Sequence, residues 1–282
     1  MSRPELPLSS LTRPGGRPEE RSWPARERLG GDRNLRPPLL GAVAAQTRLE
    51  LALLLRSGES LLVTLGIPLG FLVFFSLVDD VLPTGGRPAV DFLVPGVLAV
   101  SVISTGLVSL AIQTAFERKY GVLKLLGGSP LPRWGLLVSK ALAVLGVLMV
   151  QTGLVVVVAR SGLNWRQQGG IAPLLVALAL GALCFSAIGL LMAGTLRAEG
   201  TLALANGLFL LLLLISGLVF DSAALPGPLA SLGQALPSGA LGTALRAALE
   251  GSGRFAAGPL AVLMAWGAGA VALAAHSFRW EP

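Results

Sequence analysis

Six long apolar runs dominate the chain: Leu61–Val78, Phe92–Ala115, Gly135–Ala159, Ile171–Leu196, Thr201–Phe220 and Phe255–Ala275. A hydrocarbon core of about 30 Å needs roughly 20 helical residues at about 1.5 Å each, and every run meets that within tolerance. Strands of a membrane barrel alternate polar and apolar positions over about ten residues, and these runs do not alternate. The fourth and fifth runs are joined only by residues 197–200, so they form a tight antiparallel hairpin. Ahead of the runs, Leu40, Val43, Thr47, Leu51, Leu54 and Leu55 fall on one side at helical spacing, flanked by Arg48 and Glu50. Leu49 and Leu53 sit on the opposite side. Residues 39–56 are therefore expected to form an interfacial helix on the cytoplasmic leaflet. Between the last two runs, residues 221–254 alternate apolar stretches with breakers, as in Leu225-Pro226-Gly227-Pro228-Leu229 and the stretch from Leu232 to Leu236-Pro237. This pattern suits short re-entrant helices dipping into the outer leaflet, where irregular backbone is tolerated only if protein covers it or a cavity adjoins it. The expected fold is an all-α integral membrane protein of six transmembrane helices.

Composition points the same way. Of 282 residues, 53% are hydrophobic and 13% are charged, about half the charged share of a soluble domain, and the mean hydropathy is +0.74. Residues 1–38 are rich in Pro and Arg, with Glu19, Glu20, Glu27 and Asp32 mixed in. They hold too few large apolar residues to offset the cost of ordering, so a disordered cytoplasmic tail is expected, followed by a transmembrane domain over 39–282. No apolar stretch follows early enough for a secretory signal.

The net charge of +7 is membrane topology rather than a nucleic-acid footprint, because Lys and Arg beside apolar spans mark cytoplasmic loops. The N-terminal segment, the 116–134 loop (Arg118, Lys119, Lys124, Arg133), Arg197 and Arg279 would lie on one side. Arg87, Arg160, Arg166, Arg246 and Arg254 would lie on the other. The 116–134 loop dominates the short connections, so it and both termini are assigned to the cytoplasm. Lys140, one turn into the third run, is expected to snorkel back to that side.

The candidate chemistry is sparse. Cys184 is the single cysteine and His276 the single histidine, too few to hold a metal. No Gly-x-Ser-x-Gly occurs and no Asp or Glu lies deep in a run, which argues against an intramembrane enzyme. No Gly-Lys pair occurs anywhere, so the chain lacks the loop that cradles nucleotide phosphates. The segment with a possible docking role is 116–130. Phe116, Tyr120 and Leu123 form a short apolar stripe with charges around it, and Gly127, Gly128 and Pro130 are expected to stop the helix. Glu117 is expected to pair with a basic group on a partner.

That segment carries a resemblance. Glu117, Arg118, Gly121, Leu125, Leu126, Ser129, Pro130, Trp134 and Lys140 stand where permeases of the ABC-2 type have a Glu-Arg pair, a Gly, a Leu-Leu, a Ser/Thr-Pro and a later Lys. Asn206, Ser216-Gly217, Pro226, Pro237 and Arg246 match further along, whereas Asp221-Ser222 departs from the Pro often found there. From Leu39 onward the chain resembles this family of exporter membrane subunits. The resemblance implies six spans with an N-terminal elbow helix, and a cytoplasmic coupling helix containing Phe116, Glu117, Arg118, Tyr120, Gly121, Leu123, Leu125, Leu126, Ser129 and Pro130. It also implies a second permease subunit (the same or a homologous chain) and separate ABC ATPase subunits that bind ATP and Mg, with no catalytic residue or cofactor in this chain. Asn206 and Ser216 are candidates for the transport path. The expected place is the cell (plasma or inner) membrane, and the expected activity is export from the cytoplasm or inner leaflet. The alternatives are an ion-coupled secondary transporter, which usually carries an intramembrane carboxylate or symmetric broken helices, and a non-transporting scaffold.

Overall fold

The computed structural model describes residues 39–56, 58–77, 89–123, 132–166, 169–216, 227–249 and 254–277. The expected tail over 1–38 lies outside them. Among the described residues there is no strand, and the helices run α1 (Leu39–Arg56), α2 (Gly58–Leu77), α3 (Ala89–Lys119), α4 (Arg133–Gly162), α5 (Ile171–Thr195), α6 (Ala198–Ile215), α7 (Gly227–Ala235), α8 (Pro237–Leu249) and α9 (Ala257–Ser277). Five of them, α3 to α6 and α9, are long and apolar enough to cross a bilayer. The first expected span falls in α2, which carries a shorter apolar stretch, Gly66–Leu77, with Pro68 inside it.

Burial is uneven in a way that identifies the solvent. The most apolar window of α3 is 78% buried within the chain, whereas those of α6 and α9 are 22% buried. Val150, Leu154 and Val157 line an exposed stripe of α4, as do Leu202, Leu210 and Leu214 on α6 and Val271 and Leu273 on α9. Apolar surface on this scale is a liability in water and the ordinary outer face of a helix in lipid.

Helix α5 is the centre of the bundle. It packs against α3, α4, α8 and α9, while α1 lies along α4 and α6 lies against the second half of α3. Within α3, residues Ser104–Ser109 form a π-helical stretch, a local widening that commonly marks functional sites. There the α3 backbone approaches α5 so closely that a Cβ on Gly189 would stand 2.8 Å from the Gly106 carbonyl oxygen. Gly66 and Gly70, spaced for a close helix crossing, face no atom within 4 Å. The last helix does use its small residues, since a Cβ on Gly267 would sit 3.3 Å from Cys184 Cα.

Helix α8 is buried in the bundle, whereas α7 leaves Ser231, Leu232 and Gln234 exposed. Gly170 N–H donates to the Ala248 carbonyl at 3.0 Å, so the turn ahead of α5 closes over the C-terminal end of α8 and satisfies one of its spare carbonyls. Deeper in, a Cβ on Gly181 would stand 2.7 Å from Leu241 Cδ1, so Leu241 fills the notch that this glycine leaves. Gly181 stands eleven residues beyond Gly170, about 16 Å further along α5. Trp266 Nε1 of α9 donates to the Ala235 carbonyl at 3.0 Å and holds the C-terminal end of α7.

Candidate functional site

The charged end of the bundle is built by the close of α3, the start of α4, helix α1 and the turn between α5 and α6. Helix α3 stops earlier than the glycine pair Gly127-Gly128 suggested. Tyr120 N–H donates to Phe116 O at 2.9 Å, Gly121 N–H donates to Arg118 O at 3.1 Å, and Gly121 has φ +74°, a left-handed backbone that glycine adopts without a Cβ penalty. Phe116 to Lys119 are thus the last turn of a long span and not part of a separate helix. Val122 and Leu123 begin a new helical turn. Leu125, Leu126, Ser129 and Pro130 lie outside the described residues.

The expected apolar stripe divides. Leu123 is buried. Phe116 packs against the small cluster of Ala115, Ala193 and Ala198; its ring lies 6.0 Å from that of Tyr120 and 5.6 Å from Lys119 Nζ. Tyr120 is 71% exposed, and Val122 and Trp134 are also exposed. Among the described residues of this loop region, the exposed apolar side chains are Tyr120, Val122 and Trp134.

Lys140 does not snorkel. Its ammonium is buried and lies 2.9 Å from Glu50 Oε1 and 2.8 Å from Glu117 Oε2, with Glu117 Oε1 also accepting from it at 3.0 Å. Gln46 Nε2 donates to Glu50 Oε1 at 3.2 Å and Gln113 Nε2 to Glu117 Oε1 at 3.0 Å. Each amide stands one helical turn before its carboxylate, where i,i+4 side chains meet. Two carboxylates thus converge on one ammonium away from water, where ions need both charge pairing and further hydrogen bonds. Glu117 is engaged within the chain, contrary to the expectation that it pairs with a partner.

The neighbouring basic residues tie the same end to the α5–α6 turn. Arg118, itself buried, donates to the Leu196 carbonyl, and Lys119 pairs with Glu199 at the surface. Thr201 Oγ1 donates to Arg197 O at 3.1 Å and steadies the start of α6.

The two path candidates are not brought together. Asn206 is on an exposed face of α6 and its amide donates to Leu202 O at 2.8 Å. Ser216 is buried at the far end of α6, with Oγ donating to Leu213 O at 3.1 Å. A polar contact inside the bundle joins Gln151 Nε2 of α4 to Ser101 Oγ of α3 at 2.8 Å, and that hydroxyl donates to Val97 O at 2.8 Å.

Long apolar helices with lipid-type outer faces and charges gathered at a bundle end define a multi-pass membrane protein. A family model described as ABC-2 family transporter protein matches residues 78–276, most of the chain, and comparison with curated proteins gives no match. The chain belongs to the ABC-2 transporter family and is a membrane permease of the ATP-binding-cassette type. The matched residues include the charged end of α3 and all of α4, and leave out α1.

Proposed function

We propose that this chain is the permease subunit of an exporter driven by a separate ABC ATPase, which binds ATP and Mg. The observation that carries the reading is the exposed aromatic and apolar group of Tyr120 and Val122, set on the charged end of α3 immediately after a glycine-stopped span. A partner groove that buries Tyr120 supplies the differential contact without which ATP cannot bias the permease. In this reading the charged end and both termini are cytoplasmic, α2 completes a set of six spans, and α1 is the interfacial elbow. The α7–α8 hairpin is re-entrant from the outer leaflet. A second permease, the same chain or a homologue, completes the path, and Asn206 faces it. An amide amid Leu202 and Leu210 fits a protein-facing or path-facing surface better than hydrocarbon.

Tyr120→Asp tests the docking. Burying an aromatic side chain is worth roughly 1.5–3 kcal/mol, so ATPase affinity should fall by at least about tenfold while insertion is unchanged. Retention of wild-type affinity would show that this end does not dock. Phe116→Asp is a poorer probe, since it also breaks the contact with Ala193 and Ala198. An ion-coupled transporter or a scaffold would copurify with no ATPase.

A further inference from the structure

At its charged end the bundle falls into two units, which join along the rest of the bundle where α4 packs on α3 and α5. Helix α1 packs along α4, whereas the last turns of α3 pack on α5 and α6 and have no extensive backbone packing with α4. The Lys119–Glu199 pair and the Arg118 bond to the Leu196 carbonyl both lie within the second unit. The ion pair of Lys140 with Glu117 crosses from one unit to the other, and the pair of Lys140 with Glu50 lies within the first.

We infer that Lys140 and Glu117 are positioning residues, the tie through which displacement of the docking end at Tyr120 reaches α4 and the α1 helix riding on it. The inference rests on the proposed ATPase docking. Neither side chain touches substrate; both act through the helices they join. The tie is direct: the Lys140 side chain is 1% exposed and that of Glu117 19%, and the ammonium lies within 3.0 Å of both Glu117 carboxylate oxygens. Gln113 orients that carboxylate from α3, and Gln46 orients the Glu50 carboxylate from α1. Charge balance separates the two acids. Two carboxylates share one ammonium, so neutralising either leaves a balanced pair behind, and neither Glu117→Gln nor Glu50→Gln strands a buried ion. Both variants should fold, yet only Glu117→Gln takes the charge out of the tie between the units and weakens it to a neutral-acceptor hydrogen bond. Lys140→Met is a different case, because it leaves the buried Glu50 and the partly buried Glu117 with no shared cation.

The test uses the full chain in nanodiscs with Cys184→Ala, and spin labels on Ala52→Cys of α1 and Ala203→Cys of α6, both exposed positions. The wild-type distance distribution should be narrow, and Glu117→Gln should broaden it while Glu50→Gln broadens it less. In the assembled complex, the ATPase stimulation that depends on the permease should fall by at least about fivefold in Glu117→Gln, the low end of coupling between sites, and Lys140→Arg should keep most of it. A purely structural pair would lower the thermal midpoints of Glu117→Gln and Glu50→Gln alike and leave stimulation intact. An unchanged distribution in Glu117→Gln, or wild-type stimulation in that variant, overturns the inference. Failure of the wild-type chain to assemble with any ATPase sinks instead the docking reading on which it rests.

Discussion

The notch between Leu241 and Gly181 offers a measurable test of the α7–α8 hairpin. Leu241 is fully buried, and truncating such a leucine to alanine in a soluble core costs about 2–5 kcal/mol. Part of that cost is transfer from water, about 0.8 kcal/mol for each of the carbons removed, and it vanishes when the unfolded helices remain in lipid. What remains is lost packing, on the order of 1–2 kcal/mol. Gly181→Ala creates the opposite fault, because its new Cβ would stand 2.7 Å from Leu241 Cδ1. In the double variant that clash is gone, and the nearest remaining atom is Val102 Cγ1 at 3.3 Å, so the methyl fills part of the space that the leucine vacates. Cys184, the single cysteine, is buried one turn along α5 and reports opening by its reaction with a fluorogenic maleimide. Leu241→Ala should raise that labelling rate by about 5–30-fold, Gly181→Ala should raise it by less, and the double variant should label more slowly than the product of the two effects. Simple multiplicativity would mean that the two residues do not meet, and α8 would not pack against the middle of α5.

Two further outcomes follow from the topology and the energy supply. With Cys184→Ala as background, Lys119→Cys should resist a membrane-impermeant thiol reagent in intact cells and Arg254→Cys should react; the reverse pattern refutes the proposed orientation. The purified chain should hydrolyse no ATP, since it has no Gly-Lys phosphate loop; turnover in a preparation shown by mass spectrometry to lack any other ATPase would refute this.

The span helices were legible because the bilayer imposes a length that a run of apolar residues either meets or does not. The runs from Phe92 to Ala115 and from Ile171 to Leu196 fall within α3 and at α5 to within a residue or two. The breaker-rich segment was legible as short helices, since Pro226, Gly227 and Pro237 punctuate its apolar stretches, but their number, two, was not. Helix ends were harder. Helix α3 ends at Gly121, just after Arg118 and Lys119 find tertiary partners at Leu196 and Glu199, and the stop expected at Gly127-Gly128 lies outside the described residues.

The charged hub was missed for a different reason, since it is a contact among residues 50, 117 and 140 that no local period encodes. Its trace in the sequence was nevertheless present. Val43, Thr47, Glu50 and Leu54 share one helical face by their i, i+4, i+7, i+11 spacing, so burying Val43 against Leu136 carries Glu50 inward with it. Lys140 stands four residues beyond Leu136 on α4, on the face that receives α1. An ammonium carried inward on an apolar helix needs anionic company, and the acids close to its level are Glu50 and Glu117. Snorkelling and pairing thus make opposite demands on the same side chain. The choice between them turns on whether another helix covers the face. Helix α1 does cover it, and that takes Lys140 from the membrane surface into the contact between α1, α3 and α4.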